Sequence, residues 1–253
     1  MKVLIIPDVH GRIFWKRAID LIENYDKIIF LGDYLDPYQD EDMDYQDSIE
    51  NFKDIINFKV KNDEKVTLLL GNHDLCYFDI KVCNCRTMYE YYFDIQNIFF
   101  SYKDIFSISK IIEPNIIFSH AGFTDIFFED ITNLTGENNP IECVKLVNDW
   151  FNDGIKNHYN KLLSLLSQIG PHRGGGPFSH GSCVWADVQE LFNDEQRKLG
   201  DKFIQIFGHT RLLNNGEFLV NENKTKYCVD SRSLFDFNTE TIELKPLNDG
   251  NNQ

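Results

Sequence analysis

The sequence predicts an α/β protein built on a parallel β-sheet, and three observations support this prediction. Short apolar runs at 2–6, 27–31 and 66–70 have the length and composition of buried strands. Each run ends in a polar turn, and a helical pattern of apolar residues separates one run from the next. Strands that alternate with helices in this way form βαβ units, whose strands run parallel.

The first half of the chain supplies the elements of this βαβαβ unit. A helical pattern covers 13–24, between the first two strands. The acidic segment 39–47 indicates a solvated loop, and the second helix is expected over 48–60 with Ser48 as its N-cap. The third strand leads into the turn Gly71-Asn72-His73-Asp74. Aromatic residues at helical spacing in 86–102 are expected in the core.

The second half predicts further strands and helices around one irregular segment. Runs 105–112 and 115–119 have the pattern of an antiparallel pair that turns at 113–115. Helical patterns cover 123–133 and 141–168, the latter with a break near Gly154, and glycines and prolines exclude regular structure at 170–177. A short element begins near 184–187, and strands are expected at 203–207, 217–220, 226–230 and 241–244. Because no linker or repeat divides the chain, we predict one domain over 1–253 with a frayed tail at about 248–253.

Composition argues against several classes of function. The chain of 253 residues is 42% hydrophobic and 26% charged, as is typical of a globular protein in water. No apolar run reaches membrane-spanning length and no signal-peptide pattern is present, so we expect a cytoplasmic protein without a membrane partner. A net charge of −15 argues against binding to nucleic-acid phosphates. The six cysteines lack a disulfide-framework spacing, so reduced thiols are expected, with Cys83 and Cys85 as a weak candidate for a soft-metal pair.

Side chains that bind metals follow the predicted strands. They comprise three oxygen donors and three imidazoles: Asp8, His10, Asp33, Asn72, His120 and His209. Parallel strands bring their carboxyl ends to one edge of a sheet, so the turns after the first three strands should converge. The mixed donor set suits Mn²⁺, Fe or Zn²⁺ better than calcium. Six ligands exceed what one catalytic metal takes, so the count predicts two divalent metal ions with one carboxylate between them.

In order and spacing, these motifs resemble those of the calcineurin-like metallophosphoesterases. The motifs are Asp8-x-His10-Gly11, Gly32-Asp33-x-x-Asp36, Gly71-Asn72-His73-Asp74, Ser119-His120-Ala121-Gly122 and Gly208-His209-Thr210. Within that family, the chain is most similar to the branch of the phosphoprotein phosphatases, the bacteriophage lambda phosphatase and the symmetrical diadenosine tetraphosphatases. The resemblance implies an αββα four-layer sandwich, in which helices flank two mixed β-sheets.

The resemblance also implies a role for each motif residue. The implied ligands are a pair for the first metal, a bridging carboxylate and a set for the second metal: Asp8 and His10, Asp33, and Asn72, His120 and His209. His73 would act as the general acid, and Asp36 would orient it and raise its pKa. The implied reaction is hydrolysis of a phosphate ester by a hydroxide held between the metals, with manganese as the expected metal in vitro.

Two arginines that grip the substrate phosphate in this branch are missing here. Pro37 follows Asp36 where the branch has arginine, and Asp187 stands after Trp185 where a second arginine is expected. Arginine suits phosphate because its planar fork binds two oxygens at once, so another arginine is expected to take this role. The candidates are Arg173 in the glycine-rich segment first, and then Arg12, Arg86 and Arg211.

The sequence leaves the substrate and two other functional interpretations open. The substrate would be a phosphorylated small molecule or phosphoprotein, a dinucleoside polyphosphate or a small diester. The missing arginines also fit a catalytically silent binding scaffold of the same fold. A DNA nuclease is disfavoured by the acidic charge and by Arg211, which stands where such nucleases tend to carry a second histidine. We expect Tyr34, Tyr38 and the acidic segment 40–47 to line the entrance and to disfavour acidic substrates.

Overall fold

Two facing β-sheets form the centre of the fold. A computed structural model describes residues 1–80, 85–112, 114–153, 156–175, 180–193 and 203–247. The first sheet has six strands and the second has five in the part of the chain that the structure describes. Helices cover the outer surfaces of both sheets, so the predicted αββα sandwich with two mixed sheets is confirmed.

The strands of the first sheet are β1 (Lys2–Ile6), β2 (Lys27–Phe30), β3 (Val66–Leu69), β4 (Phe106–Ser107), β10 (Phe235–Asn238) and β11 (Glu243–Pro246). Those of the second sheet are β5 (Ser109–Ile112), β6 (Ile116–Ser119), β7 (Ile204–Phe207), β8 (Leu219–Val220) and β9 (Lys226–Cys228). The strand order is β11-β10-β1-β2-β3-β4 in the first sheet and β5-β6-β7-β9-β8 in the second. Strands β1 to β4 run parallel, as do β6, β7 and β9. Strands β10, β11, β5 and β8 are antiparallel to their neighbours.

The helices are α1 (Arg17–Leu21), α2 (Tyr45–Lys61), α3 (Asn72–Phe78), α4 (Tyr92–Ser101), α5 (Asp125–Thr135), α6 (Pro140–Asn152), α7 (Lys156–Leu166) and α8 (Val188–Asn193). Short 3₁₀ turns lie at Phe14–Lys16, Ile22–Asn24, Gln39–Glu41, Tyr89–Tyr91, Lys103–Ile105 and Pro171–Arg173. Among the described residues, no helix has both the length and the apolar character needed to cross a bilayer.

Strand alternation divides the core into layers. In β1, Val3 and Ile5 face the second sheet, whereas Leu4 and Ile6 pack against the helices. Both sets are buried because β1 lies inside a sheet that is covered on both faces. This explains why the strand is a continuous apolar run rather than an alternating one.

Two boundaries differ from the predicted ones for identifiable reasons. Helix α2 begins at Tyr45, because the Asp44 carboxylate accepts hydrogen bonds from the main-chain N–H groups of Gln46 and Asp47 at 2.6 and 3.3 Å. The prediction that Ser48 caps this helix is therefore wrong. The single strand predicted over 105–112 is divided between β4, which pairs with β3, and β5, which pairs with β6.

Two elements were not predicted at all. The turn after β3 is the first turn of helix α3, and β10 forms at Phe235–Asn238. Several predicted features lie outside the described residues: the turn residue 113, the helix break at Gly154, Cys83 and the tail 248–253. The single domain over 1–253 stays a prediction.

Phe99 in α4 offers a test of the core. Its ring is fully buried against Phe52 and Phe106, with centroids 4.8 and 5.4 Å away, whereas Phe93 on the same helix is 74% exposed. We expect Phe99→Ala to lower the free energy of unfolding by about 3–5 kcal/mol, because it leaves a cavity. Phe93→Ala should change it by less than about 0.5 kcal/mol. Urea unfolding of both variants checks this, and equal effects would contradict the assignment of the core face.

Candidate metal centre

The turns that follow five strands bring the candidate residues together. Asp8 and His10 follow β1, Asp33 and Asp36 follow β2, Asn72 and His73 begin α3 after β3, and His120 and His209 follow β6 and β7. All eight side chains are buried. The site therefore draws on both sheets, with the first sheet supplying six of these residues and the second sheet two.

Four of these residues have left-handed backbone conformations. The φ angles are 46° at His10, 52° at Asp33, 58° at Asp36 and 63° at His209. Such angles cost a residue with a Cβ roughly 1–3 kcal/mol and persist only where the surrounding structure imposes them. Their concentration in the turns after β1, β2 and β7 is typical of a functional site.

Asp74 fixes two of these turns to each other. Its carboxylate accepts main-chain hydrogen bonds from Gly71 at 2.8 Å, Asp33 at 2.7 Å and Tyr34 at 3.1 Å. Burial and the neighbouring Asp33 charge raise the pKa of Asp74 well above its usual value, and the three N–H groups act in the opposite direction. These contacts make Asp74 a local support of the two turns.

Backbone carbonyls set the orientation of two histidines. His10 donates through Nδ1 to the Leu35 carbonyl at 2.9 Å, and His120 does the same to the Leu31 carbonyl at 2.9 Å. In a neutral ring that donates through Nδ1, Nε2 carries the lone pair, and the Nε2 atom of each ring lies 3.5 Å from Oδ2 of Asp33. A ring whose Nδ1 is held by a carbonyl and whose Nε2 carries a lone pair is in the form that binds metals.

The electrostatics of Asp33 and His10 agree with this arrangement. Burial lowers the pKa of His10 well below its usual value, so the ring is neutral. Burial alone would raise the pKa of Asp33, but the neighbouring histidines outweigh it and lower that pKa. Asp33 is thus an ionised carboxylate whose Oδ2 lies between the Nε2 atoms of His10 and His120.

The predicted ligands of the second metal lie in contact. Nε2 of His120 is 3.0 Å from Oδ1 of Asn72 and 3.1 Å from Nδ1 of His209. Asp33, His120 and His209 can each place a ligand atom within 4.8 Å of the others. A neutral His120 that donates through Nδ1 presents a lone pair at Nε2 toward the Oδ1 lone pairs of Asn72, an arrangement that a shared cation would stabilise. This donor set fits a divalent metal ion.

Of the predicted ligands of the first metal, His10 belongs to a compact group of ligand atoms and Asp8 lies beside His209. A second group with ligand atoms within 4.8 Å consists of His10, Asp33 and His73. Asp8 lies beside His209, whose main-chain N–H is 3.1 Å from each carboxylate oxygen. Burial raises the pKa of Asp8, and Nε2 of His209 is buried without a hydrogen-bond partner among the described residues. A cation beside the Asp8 carboxylate would offset that cost of burial.

Two glycines allow the carboxylates to approach the main chain. A Cβ at Gly71 would lie 2.1 Å from Oδ1 of Asp33 and 2.8 Å from Cε1 of His120. A Cβ at Gly208 would lie 2.1 Å from Oδ1 of Asp8. Both positions therefore require glycine for space.

His73 and Asp36 form a buried pair. Nδ1 of His73 is 2.9 Å from Oδ2 of Asp36, and the other Asp36 oxygen accepts hydrogen bonds from the Tyr77 hydroxyl at 2.5 Å and the Met88 main chain at 3.0 Å. Burial lowers the pKa of His73, but the charge of Asp33 and the hydrogen bond that His73 donates to Asp36 outweigh it and raise that pKa. The main-chain N–H of His73 donates to Oδ1 of Asp33 at 3.0 Å.

A cavity of about 230 Å³ opens onto these residues. Its lining comprises His10, Asp33, Tyr38, Asn72, His73, Cys85, Arg86, Arg173, Trp185 and His209. Tyr38 thus lies at the entrance as expected, but Tyr34 is fully buried, with its hydroxyl donating to the Leu69 carbonyl at 2.7 Å. Tyr34 belongs to the core.

Two arginines face this cavity. Arg173 forms an ion pair with Asp187 at 2.9 Å and donates to Oγ1 of Thr210 at 2.6 Å. Arg86 lies over the Tyr38 ring at 3.7 Å and donates through Nε to the Asp36 carbonyl at 3.0 Å. Sequence reasoning placed Arg86 behind Arg173, because nothing in the spacing of Arg86 indicates that its loop returns to the site.

The other two arginine candidates, Arg12 and Arg211, do not line this cavity. Arg12 forms an ion pair with Glu41 at 3.0 Å and lines a neighbouring cavity of about 560 Å³. Glu41 also contacts Arg232 at 2.6 Å, and Asp40 contacts Arg211 at 3.4 Å. Asp40 and Glu41, expected as a solvated acidic face, are therefore largely neutralised by arginines.

Comparisons with known proteins agree with this geometry. The sequence model of the calcineurin-like phosphoesterases matches residues 1–227. A solved structure described as a cold-active protein tyrosine phosphatase has a TM-score of 0.57 and 15% identity, over 97% of this chain and 78% of that one. The cold-active protein-tyrosine phosphatase of a psychrophilic Shewanella species gives 0.55 and 15%, over 98% and 80%. At this identity, the likeness shows the fold. No curated protein sequence matches the chain.

Gly71→Ala tests the packing of the centre. The added methyl group must displace the Asp33 carboxylate, so we expect Mn²⁺ affinity to fall at least tenfold. Gly136→Ala is the control: Gly136 has a φ of 80° and no neighbour within 4 Å of an added Cβ, so this variant tests backbone strain alone. Titration calorimetry with Mn²⁺ on both variants, with circular dichroism to verify folding, measures the effect. Equal affinities would contradict the role given to Gly71.

Proposed function

Because the chain belongs to the calcineurin-like phosphoesterase family, we propose that it is a two-metal phosphatase in which His73 is the general acid. The observation that carries this proposal is the His73–Asp36 pair, which opens onto the same cavity as the candidate metal ligands. The substrate class that we propose is a phosphate monoester on a small molecule or a protein.

Six side chains would hold the two divalent cations: Asp8, His10, Asp33, Asn72, His120 and His209. Asp33 would lie between the cations, since its Oδ2 is equidistant from the Nε2 atoms of His10 and His120. The mixed oxygen and nitrogen donors suit Mn²⁺, Fe or Zn²⁺, and we propose Mn²⁺ for assays. When bound, two such cations polarise phosphoryl oxygens and lower the pKa of a coordinated water.

His73 would protonate the leaving oxygen through Nε2. Its Nδ1 is engaged by Asp36, so Nε2 is the atom that remains to give a proton into the cavity. Asp36 stabilises the imidazolium and holds the ring, and Tyr77 and Met88 hold Asp36 in turn. The direction of the His73 pKa shift supports a proton donor near neutral pH.

Arg173 and Arg86 would bind the substrate phosphate. Asp187 compensates part of the Arg173 charge, whereas the contacts of Arg86 with a carbonyl and an aromatic ring leave its charge uncompensated. Two guanidinium groups on the cavity wall favour a phosphate with two negative charges over a diester with one. The proposal gives no substrate contact to Arg12, which is bound to Glu41.

The dependence of His73→Asn on the leaving group tests the general acid. We expect kcat for a phosphoserine peptide to fall about 10²–10⁴-fold, because the poor alkoxide leaving group needs a proton. With p-nitrophenyl phosphate, whose leaving group needs little protonation, the loss should stay within about tenfold. Asp36→Asn should show the same contrast with smaller losses.

Metal content measured on each variant serves as the control for this experiment. If His73→Asn slows both substrates equally and loses metal, then His73 is a ligand, as its place beside His10 and Asp33 would allow. If the metal-loaded wild-type protein hydrolyses neither substrate, the proposed activity is wrong.

Arg86→Ala tests the phosphate site. We expect KM for p-nitrophenyl phosphate to rise about 10–100-fold, because a charge-assisted bond to a dianion is lost. The KM for bis-p-nitrophenyl phosphate should rise less, since that diester carries one charge. Arg17→Ala removes the same charge from the neighbouring cavity and should leave both KM values within about twofold. Equal effects of the two variants would mean that Arg86 acts only through the net charge.

A further inference from the structure

Two cysteine sulfurs lie against each other beside the catalytic cavity. The Sγ atoms of Cys76 and Cys85 are 3.0 Å apart, and both point toward the main-chain carbonyl of Asn72, at 3.5 and 4.0 Å. The structure contains them as thiols. The soft-metal pair weighed for Cys83 and Cys85 has a different partner, and Cys83 lies outside the described residues.

The two sulfurs differ in their access to solvent. Cys85 lines the cavity and is partly exposed, whereas Cys76 is fully buried in α3, three residues after His73. A small oxidant that enters the cavity would therefore meet Cys85 first, with Cys76 directly behind it. One accessible thiol backed by a second thiol is the arrangement that turns an oxidised cysteine into a disulfide.

We propose that Cys76 and Cys85 are a site of reversible oxidation, at which a hydroperoxide converts the two thiols into a disulfide. In the first step, the Cys85 sulfur attacks a peroxide oxygen, the O–O bond breaks, and Cys85 sulfenic acid and water form. In the second step, the Cys76 sulfur attacks the Cys85 sulfur, the S–O bond breaks, and a second water leaves. Two thiols and one hydrogen peroxide thus give one disulfide and two waters. A dithiol reductant reverses the change by exchange.

The other described cysteines lack this arrangement. Burial raises the pKa of the Cys143, Cys183 and Cys228 thiols, which keeps them protonated and unreactive. Cys143 and Cys228 point at main-chain carbonyls, of Glu137 at 3.4 Å and of Gly208 at 3.5 Å. Among the cysteines that the structure describes, oxidation should therefore be selective for the Cys76–Cys85 pair.

Oxidation would act on the catalytic groups through two connections. A disulfide bond is about 2.05 Å long, so the sulfurs must approach by about 1 Å. Cys76 lies on the helix that carries Asn72 and His73, and Cys85 precedes Arg86, which contacts the Asp36 carbonyl. Displacements of this size at a reacting centre can cost about 100-fold in rate. The expected loss of activity rests on the proposed function, but formation of the disulfide does not.

Peroxide treatment of the full-length, Mn²⁺-loaded protein tests the proposal. After incubation with hydrogen peroxide, thiols are blocked with N-ethylmaleimide and the protein is digested without reduction for mass spectrometry. We expect a peptide pair linked through Cys76 and Cys85, and at least a tenfold loss of phosphatase activity that dithiothreitol restores. Cys76→Ser and Cys85→Ser should lose the linked peptides, and Cys143→Ser should behave as the wild type does.

Each variant is compared with its own reduced form, so differences in basal activity do not matter. A linkage to another cysteine, or no linkage at all, would overturn the proposed site. Equal reversible inactivation of Cys85→Ser and wild type would assign the loss to a group other than this pair and would overturn the link to catalysis. If no phosphatase activity is found in any form, the proposed function fails, while the peptide map still decides whether the disulfide forms.

Discussion

The Asp33 carboxylate is the contact on which the rest of the site depends. One oxygen faces the Nε2 atoms of His10 and His120, and the other accepts the main-chain N–H of His73. A buried carboxylate costs several kcal/mol unless such partners surround it. Residue 71 must lack a side chain for this carboxylate to fit, and Asp74 fastens the Asp33 turn to that same residue. The main chain at Asp33 and Gly71 is therefore arranged to accommodate the Asp33 carboxylate.

Main-chain groups, more than other side chains, set the orientation of the imidazole rings in the site. The carbonyl groups of Leu35 and Leu31 accept hydrogen bonds from Nδ1 of His10 and His120. In the neutral form of such a ring, Nε2 carries the lone pair. The left-handed turns at His10 and Asp33 set the directions of their side chains. The carbonyl hydrogen bonds and the left-handed turns both lie where parallel strands end. Substitutions on the surrounding surface would therefore leave them intact. Substrate contacts have no such anchor, because long side chains from loops provide them.

This difference explains what the sequence could predict. The order of strands and turns was readable because Asp8, Asp33 and Asn72 follow apolar runs directly, and parallel strands end at one edge. The positions of Arg86 and Arg173 were not readable, since each depends on how a loop packs and on partners such as Tyr38 and Asp187. The division of 105–112 between two sheets likewise depends on tertiary pairing, because the segment is apolar throughout.

That divided segment links the two sheets covalently with one intervening residue. Ile108 is buried between β4, which extends the first sheet beside β3, and β5, which pairs with β6. Strands β3 and β6 in turn lead to Asn72 and His120, whose side chains meet at 3.0 Å between Oδ1 and Nε2. The distance between the side chains of Asn72 and His120 therefore depends on the distance between the two sheets. A cation held by both residues would link the two sheets. Metal binding would then stabilise the folded chain, and the free energy of unfolding would depend on the metal concentration.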